Sequence, residues 1–334
     1  MSTTHQITLA SGRSFSCETG ESLLDAALRS GVALAYSCRT GRCSTCMCKI
    51  SAGTAVALYD EQGLSDAEKA EGWVLSCVRT PTSDATLDVD DFAGVELPKA
   101  WTLPCRIQSL ERMAPDVVRV VLRLPPNGVL SFLPGQYVDI IGPNGIRRSY
   151  SLANANAEEK RFELHIRAVA GGQFSAYWFE QAKENDLLRL HGPLGTFFLR
   201  TLAGKDLIFL ATGTGIAPVK AMLEGLQTFS PEERPASVTV YWGGRHSEDL
   251  YWDPATVQGA HRFVPVLSRP GSQWQGASGY VQQILLGERH DFSNAVVYAC
   301  GSDLMIRSAK KALEGAGLPA REFFSDAFVS SEHA

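Results

Sequence analysis

At 334 residues and 45% hydrophobic, the chain is too long for one ordinary core, and two or three domains are expected. The formal net charge is −5, and residues 1–93 carry 7 Lys and Arg against 12 Asp and Glu, which accounts for the whole imbalance; no basic footprint for nucleic acid exists. The first residues hold no apolar run of signal-peptide length and nothing later approaches a membrane span, so a cytoplasmic protein is expected.

In chain order, the alternating "HQITLASGRSFSC" predicts a hairpin turning at Ser11-Gly12, followed by a short helix, "ESLLDAALRSG", ending at Gly31. A cysteine-rich loop comes next, with four of the eight cysteines between Cys38 and Cys48. "GWVLSCVRT" and "ATLDVDD" read as further strands. Gly94 and Pro98 mark a linker at residues 94–101. Residues 102–202 are mostly strands with one helix near "FSAYWFEQA", which suits a small antiparallel barrel. From residue 203 to 334 apolar strands alternate with helices, which predicts an α/β, doubly wound parallel sheet.

Cys38, Cys43 and Cys46 stand as C-x4-C-x2-C, with Cys77 following after 30 intervening residues. That spacing is the one found at plant-type [2Fe-2S] centres, where two bridged irons need four thiolates. A structural zinc would ordinarily show paired C-x2-C knuckles, and one such pair is present. Cys17, Cys48 and Cys105 read as packing residues.

These features, spread along the whole chain, resemble the branch of the ferredoxin-reductase superfamily in which an N-terminal ferredoxin domain (residues 1–93, an α+β fold of β-grasp type) is fused to a flavin barrel and a nicotinamide domain. Reductase components of bacterial aromatic-ring and other oxygenases look like this, as does the reductase of the dehydrase in CDP-dideoxysugar synthesis, CDP-6-deoxy-glucoseen reductase. Ser44 stands where the family commonly has Gly after the second cysteine.

The resemblance assigns Arg148-Ser149-Tyr150-Ser151 to the family's R-x-Y-S, with Arg on a phosphate and Tyr on the flavin ring. "HIRAVAGGQFS" follows, placing His165, Ile166, Gly171, Gly172, Phe174 and Ser175 beside the flavin and implying FAD rather than FMN. "FLATGTGIAP" puts Gly213, Thr214, Gly215 and Pro218 between a strand and a helix, a place for a dinucleotide phosphate.

By the same resemblance Ser151, Cys300, Asp326 and Phe328 shape the nicotinamide pocket, together with Gly301; many relatives carry Glu near Asp326. Arg245, Ser268 and Arg269 are candidates for a 2′-phosphate, whereas Glu248 and Asp249 would disfavour one, so NADH is expected over NADPH.

The implied activity passes electrons from NAD(P)H through FAD and the cluster to a separate protein. An oxygenase component is the first reading and a CDP-sugar dehydrase the alternative, with a redox sensor lacking turnover set aside. Arg39, Arg42 and Lys49 around the cluster loop are expected to meet an acidic partner surface. Neither nucleic acid nor membrane is an expected partner, and a monomer is expected.

Overall fold

The computed structural model describes residues 3–92, 94–156, 160–259 and 261–329. It divides into two compact units, one built on the first 97 residues and one on Pro98–Phe328.

The first unit holds β1 (Thr4–Leu9), β2 (Ser14–Glu18), α1 (Leu23–Arg29), β3 (Met47–Ala52), β4 (Ala55–Ala57), α2 (Asp66–Ala70), β5 (Trp73–Leu75), β6 (Arg79–Pro81) and β7 (Ala85–Asp88). Its five-stranded sheet runs β2-β1-β7-β3-β5, with β1 and β7 parallel and the other pairs antiparallel. Ser22 caps α1 by accepting the Asp25 amide at 3.0 Å. The apolar side of that helix, Leu23, Leu24, Ala26 and Ala27, packs on Ile7, Leu9 and Leu87 of the sheet.

"GWVLSCVRT" is two strands, not one. The Ser76 amide still bonds the Cys46 carbonyl, one step past the β3–β5 pairing, and the chain then turns, the Val78 amide reaching back to the Leu75 carbonyl. The turn at Ser76–Val78 separates β5 from β6 and holds Cys77.

The second unit begins with β8 (Trp101–Ala114), β9 (Val117–Arg123), β10 (Tyr137–Ile141), β11 (Arg147–Ser151), β12 (Arg161–Arg167), α3 (Gln173–Ala176), which runs on into a π-helical turn at Tyr177–Gln181, and β13 (Leu187–Leu194). These six strands form an antiparallel sheet in the order β11-β10-β13-β8-β9-β12. An isolated antiparallel bridge, Leu152 with Leu164, joins the two edge strands and closes the barrel.

Then follow β14 (Asp206–Thr212), α4 (Ile216–Gly225), β15 (Ser237–Gly244), β16 (Arg262–Leu267), β17 (Ala277–Ser278), α5 (Val281–Glu288), β18 (Ala295–Ser302), α6 (Asp303–Gly315) and β19 (Phe323–Phe328). Their sheet, β17-β16-β15-β14-β18-β19, is parallel throughout. The chain winds outward from β14 in one direction and returns to the other side at β18. The C-terminal ends of these two strands therefore form the crevice where ligands of doubly wound sheets bind.

Candidate functional site

The cysteine loop is shaped by backbone geometry. Arg39 and Gly41 both take positive φ, 57° and 74°, and a Cβ on Gly41 would lie 2.6 Å from the Asp60 carbonyl oxygen. Only glycine admits that approach without displacing backbone. The curl points the amides of Thr40 and Cys43 at Cys38 Sγ, each at 3.4 Å.

The four sulfurs sort into two pairs. A hydrogen bond from the Cys43 thiol outweighs burial and, with Thr40, holds Cys38 below the ordinary thiol range; one from Cys46 lowers Cys77 in the same way. The donors, Cys43 and Cys46, move well upward. Two thiol pairs, with amides directed at one sulfur, suit a centre of two irons that each take two thiolates. Among the described residues, no three His, Cys, Asp or Glu side chains are grouped around a single ion position.

Cys48 and Cys17 lie in the core of this unit and Cys105 in the barrel core, and burial pushes each up to about 12. Of the basic residues around the loop, Arg39 is ion-paired with Asp25, Lys49 sits 4.6 Å over the Trp73 ring, and Arg42 is half-buried.

In the barrel, strand pleating puts Arg148 and Tyr150 on one face of β11 and Ser149 and Ser151 on the other. The Tyr150 hydroxyl accepts from the Trp178 indole at 3.0 Å, and its ring leans on Phe174 and Trp178 with centroids 6.1 and 6.2 Å away. Arg148 folds back to donate to the Arg147 carbonyl. The Ser149 hydroxyl is bound to Asp139 at 2.5 Å, inside the barrel's own network.

Ile166 belongs to the barrel core, and both ring nitrogens of His165 are engaged, by Glu163 at 2.9 Å and Tyr251 at 3.1 Å. Gly171 has φ 72°, Gly172 precedes α3, Phe174 is buried and Ser175 Oγ accepts the Val169 amide.

A cleft of about 890 Å³ opens at the crevice between β14 and β18. Gly213, Thr214, Arg245, Ser268, Arg269 and Phe328 line it. Pro218 lies in the first turn of α4, buried. A Cβ on Gly215 would fall 2.2 Å from the Cys300 carbonyl oxygen, so glycine there lets the loop after β14 lie against the end of β18.

Cys300 and Asp326 are register partners on β18 and β19, and Ser151 Oγ donates to Asp326 Oδ2 at 3.4 Å. Three residues distant in sequence thus meet at one buried point, with Gly301 next along β18 and Phe328, 41% exposed, two residues beyond Asp326. Burial holds the Cys300 thiol well above its ordinary value, which keeps it neutral.

Asp249 also lines the cleft, where it accepts the amides of Arg245 and His246 at 2.7 and 3.0 Å and is ion-paired with Arg167. Arg167, which also binds Asp116 at 2.6 Å, went unnoticed in the "HIR" stretch, although it lies in that motif.

Comparison with known proteins gives a consistent frame. The family model for a 2Fe-2S iron-sulfur cluster binding domain matches residues 7–82, that for an oxidoreductase FAD-binding domain residues 104–199, and that for an oxidoreductase NAD-binding domain residues 209–311. The chain is 39% identical over 326 residues to a CDP-6-deoxy-L-threo-D-glycero-4-hexulose-3-dehydrase reductase of Yersinia pestis, covering 96% of this chain and 97% of that one. It is 32% identical over 333 residues to a terephthalate 1,2-dioxygenase reductase component of Comamonas, covering 98% of each. Among solved structures, a cytochrome P450 reductase of Amycolatopsis superposes with a TM-score of 0.77 at 30% identity, over 98% of this chain and 100% of that one.

Proposed function

We infer, from a chain that belongs to the iron-sulfur flavoprotein reductases built of these three domains, that NADH is its electron donor and a separate oxygenase component its acceptor. The relay itself runs from nicotinamide through FAD to the [2Fe-2S] centre. When bound, FAD supplies the conversion between a two-electron hydride and the single electrons a cluster takes.

The observation that carries the reading is the meeting of Ser151 with Asp326 and Cys300. A hydroxyl from the flavin sheet and a carboxylate from the nucleotide sheet share one hydrogen bond, which fixes where the two half-sites abut. Asp326 is 4% exposed, and the Ser151 donor holds it in place. Cys300 contributes a small neutral wall beside them. Tyr150, braced by Phe174 and Trp178, offers a rigid aromatic face, and Phe328 covers the mouth of the cleft. The cluster ligands in this reading are Cys38, Cys43, Cys46 and Cys77, with the amides of Thr40 and Cys43 tuning the charge on Cys38.

A second acceptor reading, a CDP-hexulose dehydrase component, is favoured by the 39% identity to the Yersinia reductase against 32% for the Comamonas one. The NAD-binding match supports NADH as donor, and Asp116 and Asp249, which share the single guanidinium of Arg167 at the cleft, leave that trio with a net negative charge. No helix among the described residues is long and apolar enough to cross a membrane; a monomer in the cytoplasm completes the proposal.

An anaerobic NADH titration, following flavin absorbance and the EPR signal of the reduced cluster together, tests the relay. Both should change in step; flavin bleaching without a cluster signal would remove the four cysteines from the role given them. Adding an oxygenase component or a hexulose dehydrase component then separates the acceptors, since only the true partner is reduced at NADH-limited rates.

A further inference from the structure

A partly buried polar network joins the barrel to the nucleotide sheet. Lys220, in the second turn of α4 and 13% exposed at its side chain, donates to the Ala153 carbonyl at 2.9 Å and to Glu224 at 2.6 Å, and lies 3.3 Å from Glu163. Glu224 in turn accepts the Ala155 amide at 2.9 Å. Glu163 also accepts from Arg119 at 2.8 Å and from His165 at 2.9 Å.

An ionised carboxylate can only accept, so His165 carries its proton on Nε2 and takes the Tyr251 hydroxyl hydrogen on Nδ1. Tyr251 meets the Trp242 ring edge-on at 5.2 Å, and the Trp242 indole donates to the Gly213 carbonyl at 2.9 Å.

The ends of this network matter. On the barrel side it grips Ala153 and Ala155, just past the R-x-Y-S strand, and β12, which carries the HIR motif. On the other side it grips the Gly213 loop and the helix that loop opens. Buried ion pairs contribute little net stability compared with apolar packing, but they tolerate only one geometry. We propose that Lys220, with Glu163, His165 and Tyr251, is a positioning device that sets the dinucleotide loop and α4 in register against the flavin-binding strands.

The inference rests on the assignment of those strands and that loop to the two cofactors, and it adds Lys220, Glu163 and Tyr251 to the residues that matter there. Removing the Lys220 charge frees α4 to shift, and a shift of about 1 Å at a reacting centre lowers a rate about 100-fold.

The test is anaerobic stopped-flow reduction of the holoenzyme flavin by NADH, paired with hydrogen exchange of residues 213–225. In Lys220→Met the saturating rate should fall about 100-fold while the NADH concentration for half-saturation stays within about threefold, and amides of 213–225 should exchange faster. Lys220→Arg, which can still bridge both carboxylates, should restore most of the rate.

A wild-type saturating rate in Lys220→Met, a loss that excess NADH reverses, or a failure of Lys220→Arg to rescue would overturn the proposal. Should Lys220→Met not fold, Tyr251→Phe, which removes a single hydroxyl, decides: a slower saturating rate with faster exchange supports the device, and unchanged values overturn it. If wild-type flavin is not bleached by NADH, the cofactor assignment fails before any variant is compared, and this inference falls with it.

Discussion

The cysteine loop and the meeting point of Ser151, Cys300 and Asp326 gather side chains at one place by opposite means. Three of the four cysteines lie within nine residues, and the loop's own amides and one glycine set their geometry. Ser151 and Asp326 are 175 positions apart and meet only because two different sheets present their ends to each other. A site of the first kind depends on local conformation; one of the second kind depends on every element between.

The sharpest way to break that contrast is Cys46→Ser. Acceptor reduction should drop to background and iron and sulfide should be lost, while NADH still bleaches the flavin at the wild-type rate, because the second unit builds its site without the first. Measured iron content and stopped-flow traces decide it, and loss of flavin reduction as well would mean the two sites are not separately built.

Gly215→Ala attacks the distributed site through packing alone. Its Cβ would sit 2.2 Å from the Cys300 carbonyl oxygen, so strand end and loop must part. Flavin reduction by NADH should slow about 100-fold, with about 1–3 kcal/mol lost from the second unit in a denaturant titration. EPR of the chemically reduced cluster should be unchanged.

A smaller effect is expected of Asp326→Ala, which deletes one partner of the Ser151 hydrogen bond. A net worth of about 1 kcal/mol for such a bond predicts a rate lower by roughly five- to tenfold at saturating NADH.

The mildest test uses pH. Burial pushes the Glu163 carboxyl up, but hydrogen bonds from His165 and Arg119 win and hold it below its ordinary 4.5. A depressed carboxyl contributes stability that is complete above the unfolded value and is lost as pH falls through the folded one. The thermal midpoint of the second unit should therefore decline as pH drops below about 4.5, and Glu163→Gln should flatten that decline.

The same contrast governs what could be seen in the sequence. The cysteine spacing, the glycine turn after β14 and the alternation of strands with helices were all legible, because each is written in neighbouring residues. The break of "GWVLSCVRT" around Cys77 was not: its apolar pattern reads as a strand, and the turn that brings the Val78 amide back to the Leu75 carbonyl interrupts it. That Asp249 shares Arg167 with Asp116 was not legible either, because the three lie far apart in the sequence. Lys220 and Glu163 stand out in no sequence pattern, since nothing local reveals that both are buried against each other.

The bond from the Trp242 indole to the Gly213 carbonyl gives the protein a built-in optical reporter. Trp242 is fully buried and its ring nitrogen is attached to the loop proposed to receive the dinucleotide. In a chain whose other five tryptophans are replaced by phenylalanine, its emission would follow movement of that loop directly, so nucleotide arrival could be timed apart from any colour change in the cofactors.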